Sequence, residues 1–447
     1  MPPVYPGGIF CAVRQSLQTK REMIGLAGIN FTGGTDMNDR MERPYQRLLR
    51  YTKFETVSRE GADVSPSTPE QTVFAQALAE ELRAIGVVDA AVDENGYVYG
   101  TIPANVPDFK GPALALLSHL DVSGASPCRG VRARVVPYAG GDVALGNGLT
   151  LRAADFPRLK NYIGKSLLVT DGSTLLGADD KAGIAEIMTF AETLLREPSL
   201  PRGTVKICFT PDEEIGSGAG LLDLERLGTD VAYTLDGDDF GAVEYETFNA
   251  AEAVAVFTGV SVHPGSAKGI LKNASQMAAE FICALPTDQR PETTEGYEGY
   301  YFAERMEGGV ERAEVHCLIR DHDREKFAAR KAFLLGLIGE MNAKYGPGSA
   351  ALTVTDSYYN MRERILPAHQ ELIDAACAAV RAEGGTPVSN PVRGGTDGAA
   401  LSYRGLPCPN LGVGGGNFHS RLEYACVEDM DAVVRELLRI AAFFATR

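Results

Sequence analysis

No run of about eighteen consecutive apolar residues occurs in the chain, so no segment has the length of a membrane-spanning helix. The eight cysteines, scattered from Cys11 to Cys426, contain no C-x-x-C pair, which speaks against a zinc ribbon and against a disulfide framework. Positive charge is in short supply. Forty-three Lys and Arg stand against 59 Asp and Glu, a net charge of −16 that excludes a polyanionic nucleic acid as the expected partner. The N-terminus lacks a basic region followed by an apolar core and a cleavage site. Internal repeats and low-complexity tracts are absent as well. These absences predict a soluble, cytoplasmic protein that binds neither nucleic acid nor membrane.

What remains is ample material for a globular fold. At 447 residues and 45% apolar content, the chain exceeds what one hydrophobic core usually serves, and two domains are expected. Residues 1–40 have little periodicity and many glycines, and read as a disordered or spurious extension, with Met37 or Met41 as the expected true start. From "MERPYQRLLRYTKF" onward the pattern is amphipathic helix. "STPEQTVFAQALAEELRAIG" carries full helix punctuation: Thr68 as N-cap, Pro69 in the first turn, Gln71 completing a capping box, Gly86 at the end. The runs "PALALLS", "TVKICFT" and "VAYTLD" are nearly continuous apolar strands, with helices such as "DKAGIAEIMTFAETLLRE" between them. That alternation predicts an α/β domain with a buried central sheet flanked by helices. After residue 248 the order becomes strand, helix, strand, strand, helix, strand, the βαββαβ ferredoxin-like unit. Helix and strand material suited to the first domain then returns. The expected organisation is a catalytic domain in two pieces, 41–248 and 360–447, with a small α+β domain, 249–359, inserted between them.

Polar residues of chemical interest follow the apolar strands. His119 and Asp121 come after "ALALLS", Glu213 and Glu214 after "KICFTP", Asp236 at the end of "VAYTLD", and His419 beyond "PNLGVGGGN". Open α/β sheets bind ligands beyond the carboxyl ends of their strands, so these segments point into one place. In "SHLDVSG" the two-residue spacing lets Asp121 fix the tautomer of His119. Of the adjacent glutamates, one can ligate a metal while the other acts as base toward water. In "LLGADDKAGIAEI" two neighbouring acids precede a helix. Asp179 is read as a carboxylate bridging two cations, whose charge offsets the repulsion among the acids, with Asp180 and Lys181 as supporting or capping groups. Imidazole and oxygen donors without a thiolate suit zinc, and also manganese or cobalt. His316, His322 and His369 fit structural or solvated roles better.

The runs "GADDKAG", "PDEEIG", "YTLDGDD", "VHPGSAKG", "EGYEGYY", "IRDHDR", "DSYYNMRE" and "RGGTDGAALSYRGLPCPNL" closely resemble the tripeptide aminopeptidases of the di-zinc exopeptidase family, in order, from about residue 41 to the end. The resemblance implies two Zn²⁺ per subunit, one held by His119, Asp179 and Asp236, the other by Asp179, Glu214 and His419, with Co²⁺ or Mn²⁺ able to substitute. It implies that Glu213 is the general base and that Asp121 orients His119. His263 resembles the histidine such enzymes bring from the small domain, often from the other subunit, to stabilise the tetrahedral oxyanion. Arg320, Asn360 and Arg393 are candidates for the carboxylate end of a tripeptide. A homodimer through the inserted domain is implied too. The same scaffold also serves carboxypeptidases, dipeptidases and N-acyl amino acid deacylases.

Overall fold

The computed structural model describes residues 41–366 and 368–447. The extension expected over 1–40, with its alternative starts, lies outside the described residues. The chain divides into two compact units. The smaller comprises Glu246–Arg362 and Asn390–Gly395, and the rest of the described chain forms the larger.

The larger unit is built on a seven-stranded mixed sheet. Its strand order is Ala91–Val92, Val98–Ile102, Val205–Thr210, Leu114–His119, Val231–Gly237, Asn410–Gly412, Val243–Glu244. The four strands from Val205–Thr210 to Asn410–Gly412 run parallel, and the outer ones pair antiparallel. Leu114–His119 is buried along its whole length, as its continuous apolar run requires in a sheet covered on both faces. The helix Ala178–Arg196 packs against it closely. A methyl at Gly183 would lie 2.6 Å from Asp180 Oδ1 and 2.7 Å from Ser118 Oγ, so only glycine permits this approach.

A second, four-stranded sheet joins Gly415–Gly416, Tyr424–Cys426, Ser166–Val169 and Arg134–Pro137, all antiparallel. Short turn-flanked strands of this kind leave little periodic signal. The long helix Val427–Phe444 follows directly and buries an almost unbroken apolar face.

The helix Pro69–Ile85 begins after Thr68 and ends at Gly86, whose φ of 114° places it in left-handed backbone. The expected capping box is not formed. Thr68 Oγ1 donates to Val57 O, and Gln71 turns its amide onto Asp212, accepting from Asp212 N at 3.1 Å and donating to Oδ1 at 2.7 Å. Asp212 is buried with φ 60°, just ahead of the two glutamates, and satisfying it outweighs a helix cap.

In the smaller unit the elements run Asn249–Thr258, Ala274–Ala284, Tyr300–Gly308, Arg312–Asp321, Arg324–Tyr345, Ala350–Tyr358, a βαββαβ order. Its antiparallel sheet places Arg312–Asp321 and Asn249–Thr258 at the centre. One face, carrying Ala251, Ala253, Ala255, Phe257, Val315, Cys317 and Ile319, shares a core with Phe281 and Leu334 of the two helices. Strict alternation of burial along Arg312–Asp321 leaves the other face half exposed.

Candidate metal centre

Three neighbouring parallel strands deliver the site. Strand spacing of about 4.8 Å sets the segments beyond Thr210, His119 and Leu235 side by side. His119 closes its strand, with its ring buried. Its Nε2 lies 2.9 Å from Asp179 Oδ1 and 3.4 Å from Asp236 Oδ1, while Nδ1 lies 3.1 Å from Asp121 O and 3.3 Å from Asp121 Oδ1. His419, in left-handed backbone at φ 60°, brings Nε2 to 3.0 Å from both Asp179 Oδ2 and Glu214 Oε2. The two oxygens of Asp179 therefore face different imidazoles.

Asp121 is fully buried and does more than flank His119. Its Oδ1 accepts from Glu213 N at 3.0 Å and its Oδ2 from Glu214 N at 3.1 Å, so one carboxylate fixes the turn that carries both glutamates. Asp180 supports from the other side. Its Oδ2 accepts from His119 N at 3.0 Å and from Ser118 Oγ. Lys181 points away, donating to Phe54 O at 3.0 Å. Asp236 is tied in by Asn410, whose Oδ1 accepts from Asp236 N at 3.0 Å.

Charge in this place is lopsided. Among the described residues, the ion pairs of Asp121, Asp179, Glu214 and Asp236 are with His119 and His419 alone. At 4 Å two like charges repel by about 4 kcal/mol even at an effective dielectric of 20, so the missing positive charge must come from protons or from cations. Burial and hydrogen bonding favour a proton solution at some of these groups. Burial pushes the carboxyls of Asp180, Glu213 and Glu214 up, and Asp236 up to about 7. Burial also works against ionisation of Asp179, but the hydrogen bonds from His119 and His419 win and hold it well below the usual range. Hydrogen bonds to Asp179 and Glu214 raise His419 to about 10.

The cation solution fits the same atoms. Ligand atoms of His119, Asp179 and Glu214 lie within 4.8 Å of one another, as do those of His119, Asp180 and Asp236. Glu214 Oε1 is buried without any hydrogen-bond partner, which is costly for a carboxylate oxygen unless something else meets it. Nitrogen and oxygen donors without sulfur suit zinc, manganese or cobalt.

The remaining candidates all belong to the smaller unit. His263 is exposed, with Nδ1 accepting from Gly265 N at 3.1 Å. Arg320 Nη1 donates to Ala251 O and Ile319 O at 3.3 and 3.0 Å. Asn360 is buried, its Oδ1 accepting from Thr247 N and its Nδ2 donating to His322 O. Arg393 donates through Nη1 to Gly296 O and Glu298 O and through Nη2 to Thr294 Oγ1, with its guanidinium 5.1 Å from the Phe248 ring. Two further acids near the centre escape sequence reasoning. Asp397 accepts from Thr210 Oγ1 at 2.7 Å, and burial pushes it up to about 6. Glu423 lies four residues beyond His419 and is buried. Neither ends an apolar strand, the signal that exposes the others.

A buried imidazole, a half-exposed one and several carboxylates converging beyond parallel strands, with an orphaned ligand oxygen among them, define an α/β metalloenzyme. The sequence model of peptidase family M20/M25/M40 matches residues 171–442. The chain belongs to this family and is a metallopeptidase. It is 46% identical over 409 residues to Peptidase T of Vibrio parahaemolyticus, covering 91% of this chain and all of that one. Among solved structures, the aminopeptidase PepT of Bacillus cereus superposes with a TM-score of 0.69 at 23% identity, covering 90% of this chain and 98% of that one. A tripeptidase of Staphylococcus aureus gives 0.70 at 23% identity, with 90% and 99% covered. Both share the fold. No helix of the described residues is long and apolar enough to cross a membrane.

Proposed function

We propose that this chain is an aminopeptidase that removes the N-terminal residue of tripeptides with the help of two divalent cations, zinc in the first instance, with cobalt or manganese able to substitute. The observation that carries this reading is Asp179, whose two carboxylate oxygens face His119 and His419 separately, as a group shared between two cations must. His119, Asp179 and Asp236 would hold one ion, and Asp179, Glu214 and His419 the other. Such ions acidify water and polarise a scissile carbonyl.

The chain's own residues supply the rest. Glu213, beside the ligand Glu214 on the turn that Asp121 fixes, takes the proton of the attacking water and returns it to the departing amine. Burial raises its proton affinity toward the range such a base requires. Asp121 keeps the ring of His119 oriented. His263, exposed on the smaller unit, would donate to the developing oxyanion. Arg320, Asn360 and Arg393 would bind the carboxylate end of the substrate. The smaller unit would act as lid and as the face of a homodimer, in the cytoplasm.

The names of the relatives support this reading: a Peptidase T, an aminopeptidase PepT and a tripeptidase. The test offers the zinc-loaded protein a free tripeptide, the same tripeptide N-acetylated, and an acetyl amino acid. Release of the first residue from the free tripeptide alone is expected. Cleavage of the acylated compounds alone would make the chain a deacylase and overturn the proposal.

A further inference from the structure

Asp179 opens a helix without being helical: its φ and ψ are −83° and 102°, and Gly177 before it sits at φ 77°. A ligand in such a loop needs something to hold it, and the helix supplies nothing there. The holding group is Glu423. Its Oε2 accepts from Leu176 N at 2.7 Å and from Gly177 N at 2.8 Å, and its Oε1 accepts from Asp179 N at 3.1 Å. Glu423 is 1% exposed, so these amides have no water to fall back on.

The same short turn carries the other imidazole. Ser420 Oγ donates to Asn417 O and accepts from Leu422 N, Asn417 Nδ2 donates to Leu422 O, and Glu423 N donates to Ser420 O. His419 and Glu423 are thus held in one rigid piece of backbone. His419 meets Asp179 at its side chain while Glu423 meets it at its amide. Tyr424, the next residue, pairs with Val169 at the start of the segment that leads to Asp179.

We propose that Glu423 is a positioning residue for the metal centre: it grips the backbone before and at Asp179 so that both carboxylate oxygens of Asp179 are aimed at two cations before either arrives. This rests on the two-cation reading above. Because Asp179 is the one ligand shared by both ions, loosening it weakens both, whereas losing His419 removes a ligand of one ion only. Partners of this kind typically contribute about 10- to 100-fold to metal affinity.

The test titrates chelator-stripped, full-length protein with Zn²⁺ against a competing chromophoric chelator, for the wild type, Glu423→Gln and Glu423→Asp. Glutamine preserves shape but opposes an NH₂ group to a backbone N–H. Aspartate keeps the charge but is one methylene too short to reach. Two ions per wild-type chain are expected, with both sites weakened about 10- to 100-fold in both variants. Glu186→Gln, which alters a buried acid farther along the helix that Asp179 opens, is the control and keeps wild-type affinity. If both Glu423 variants bind as the wild type does, the positioning role is overturned and the two-cation reading stands. If only Glu423→Asp binds as the wild type does, Glu423 acts through charge, and the grip is refuted. If the wild type itself takes up no ion, the functional reading falls and this inference with it. Should neither variant fold, hydrogen exchange of metal-free wild type decides. Protected amides at 176, 177 and 179 support the grip, and exchange at the rate of an unstructured peptide contradicts it.

Discussion

In the larger unit His119 and His419 face Asp179, Glu214 and Asp236; on the half-exposed sheet face of the smaller unit His316 stands among Glu252, Glu314 and Glu307. Both groups have donor atoms close enough for an ion. The second, however, already has two of its three acids paired with arginine. Arg305 pairs with Glu307 and contacts His316, and Arg312 pairs with Glu314. The side chain of Glu307 is 57% exposed, whereas that of Glu214 is 6% exposed with an unpartnered oxygen. The lesson is that histidine and acid in proximity do not make a metal site. Several donor atoms gathered without counter-charge and shielded from water do, because only there is a cation worth more than water and arginine.

The comparison can be broken or sharpened by experiment. The largest effect is expected from Glu213→Gln, which should lower kcat on a free tripeptide by at least about 10²- to 10⁴-fold while leaving zinc content, measured by elemental analysis, unchanged. A variant with substantial turnover would remove Glu213 as the base. Next comes Asp179→Asn. For wild type at a zinc concentration about 1,000 times Kd, binding should add about 4 kcal/mol to stability, read as a zinc-dependent rise in Tm. In Asp179→Asn that rise should collapse.

Glu186 represents a third kind of acid, fully buried and with both oxygens unpartnered. Burial raises its carboxyl well above the usual 4.5. An acid raised in the folded state is neutral there but ionises on unfolding, so its contribution to stability is lost as pH rises above about 4.5. Glu186→Gln should therefore stabilise the protein by about 1–3 kcal/mol near pH 8 and by much less near pH 4.5, as followed by thermal unfolding at both values. The smallest effect is reserved for the contrasting group. His316→Ala should leave zinc stoichiometry and turnover unchanged and move stability by no more than about 0.5 kcal/mol.

Much of this was legible in the sequence because the signals were local. Continuous apolar runs announced the parallel strands of the larger unit, and an acid or imidazole just past each run announced the site. The failures share one cause. Gln71 looks like a capping residue until Asp212, 141 residues away, takes its amide. Glu423 carries no signal of its own, because the groups it serves, Leu176, Gly177 and Asp179, lie some 245 positions away. Three- and four-residue strands such as Tyr424–Cys426 and Ser166–Val169 are too short to show a period, and they form only because each finds the other. The partner of a buried polar group is set by tertiary structure, and no spacing rule contains it.

The most direct measurement is anomalous X-ray scattering at the zinc edge from crystals grown with zinc. The account predicts two peaks, one on each side of the Asp179 carboxylate, with His119 and Asp236 at one and Glu214 and His419 at the other, and none at Glu307, Glu314 and His316. A map with no peak beside Asp179, or with zinc only on the sheet of the smaller unit, would contradict it.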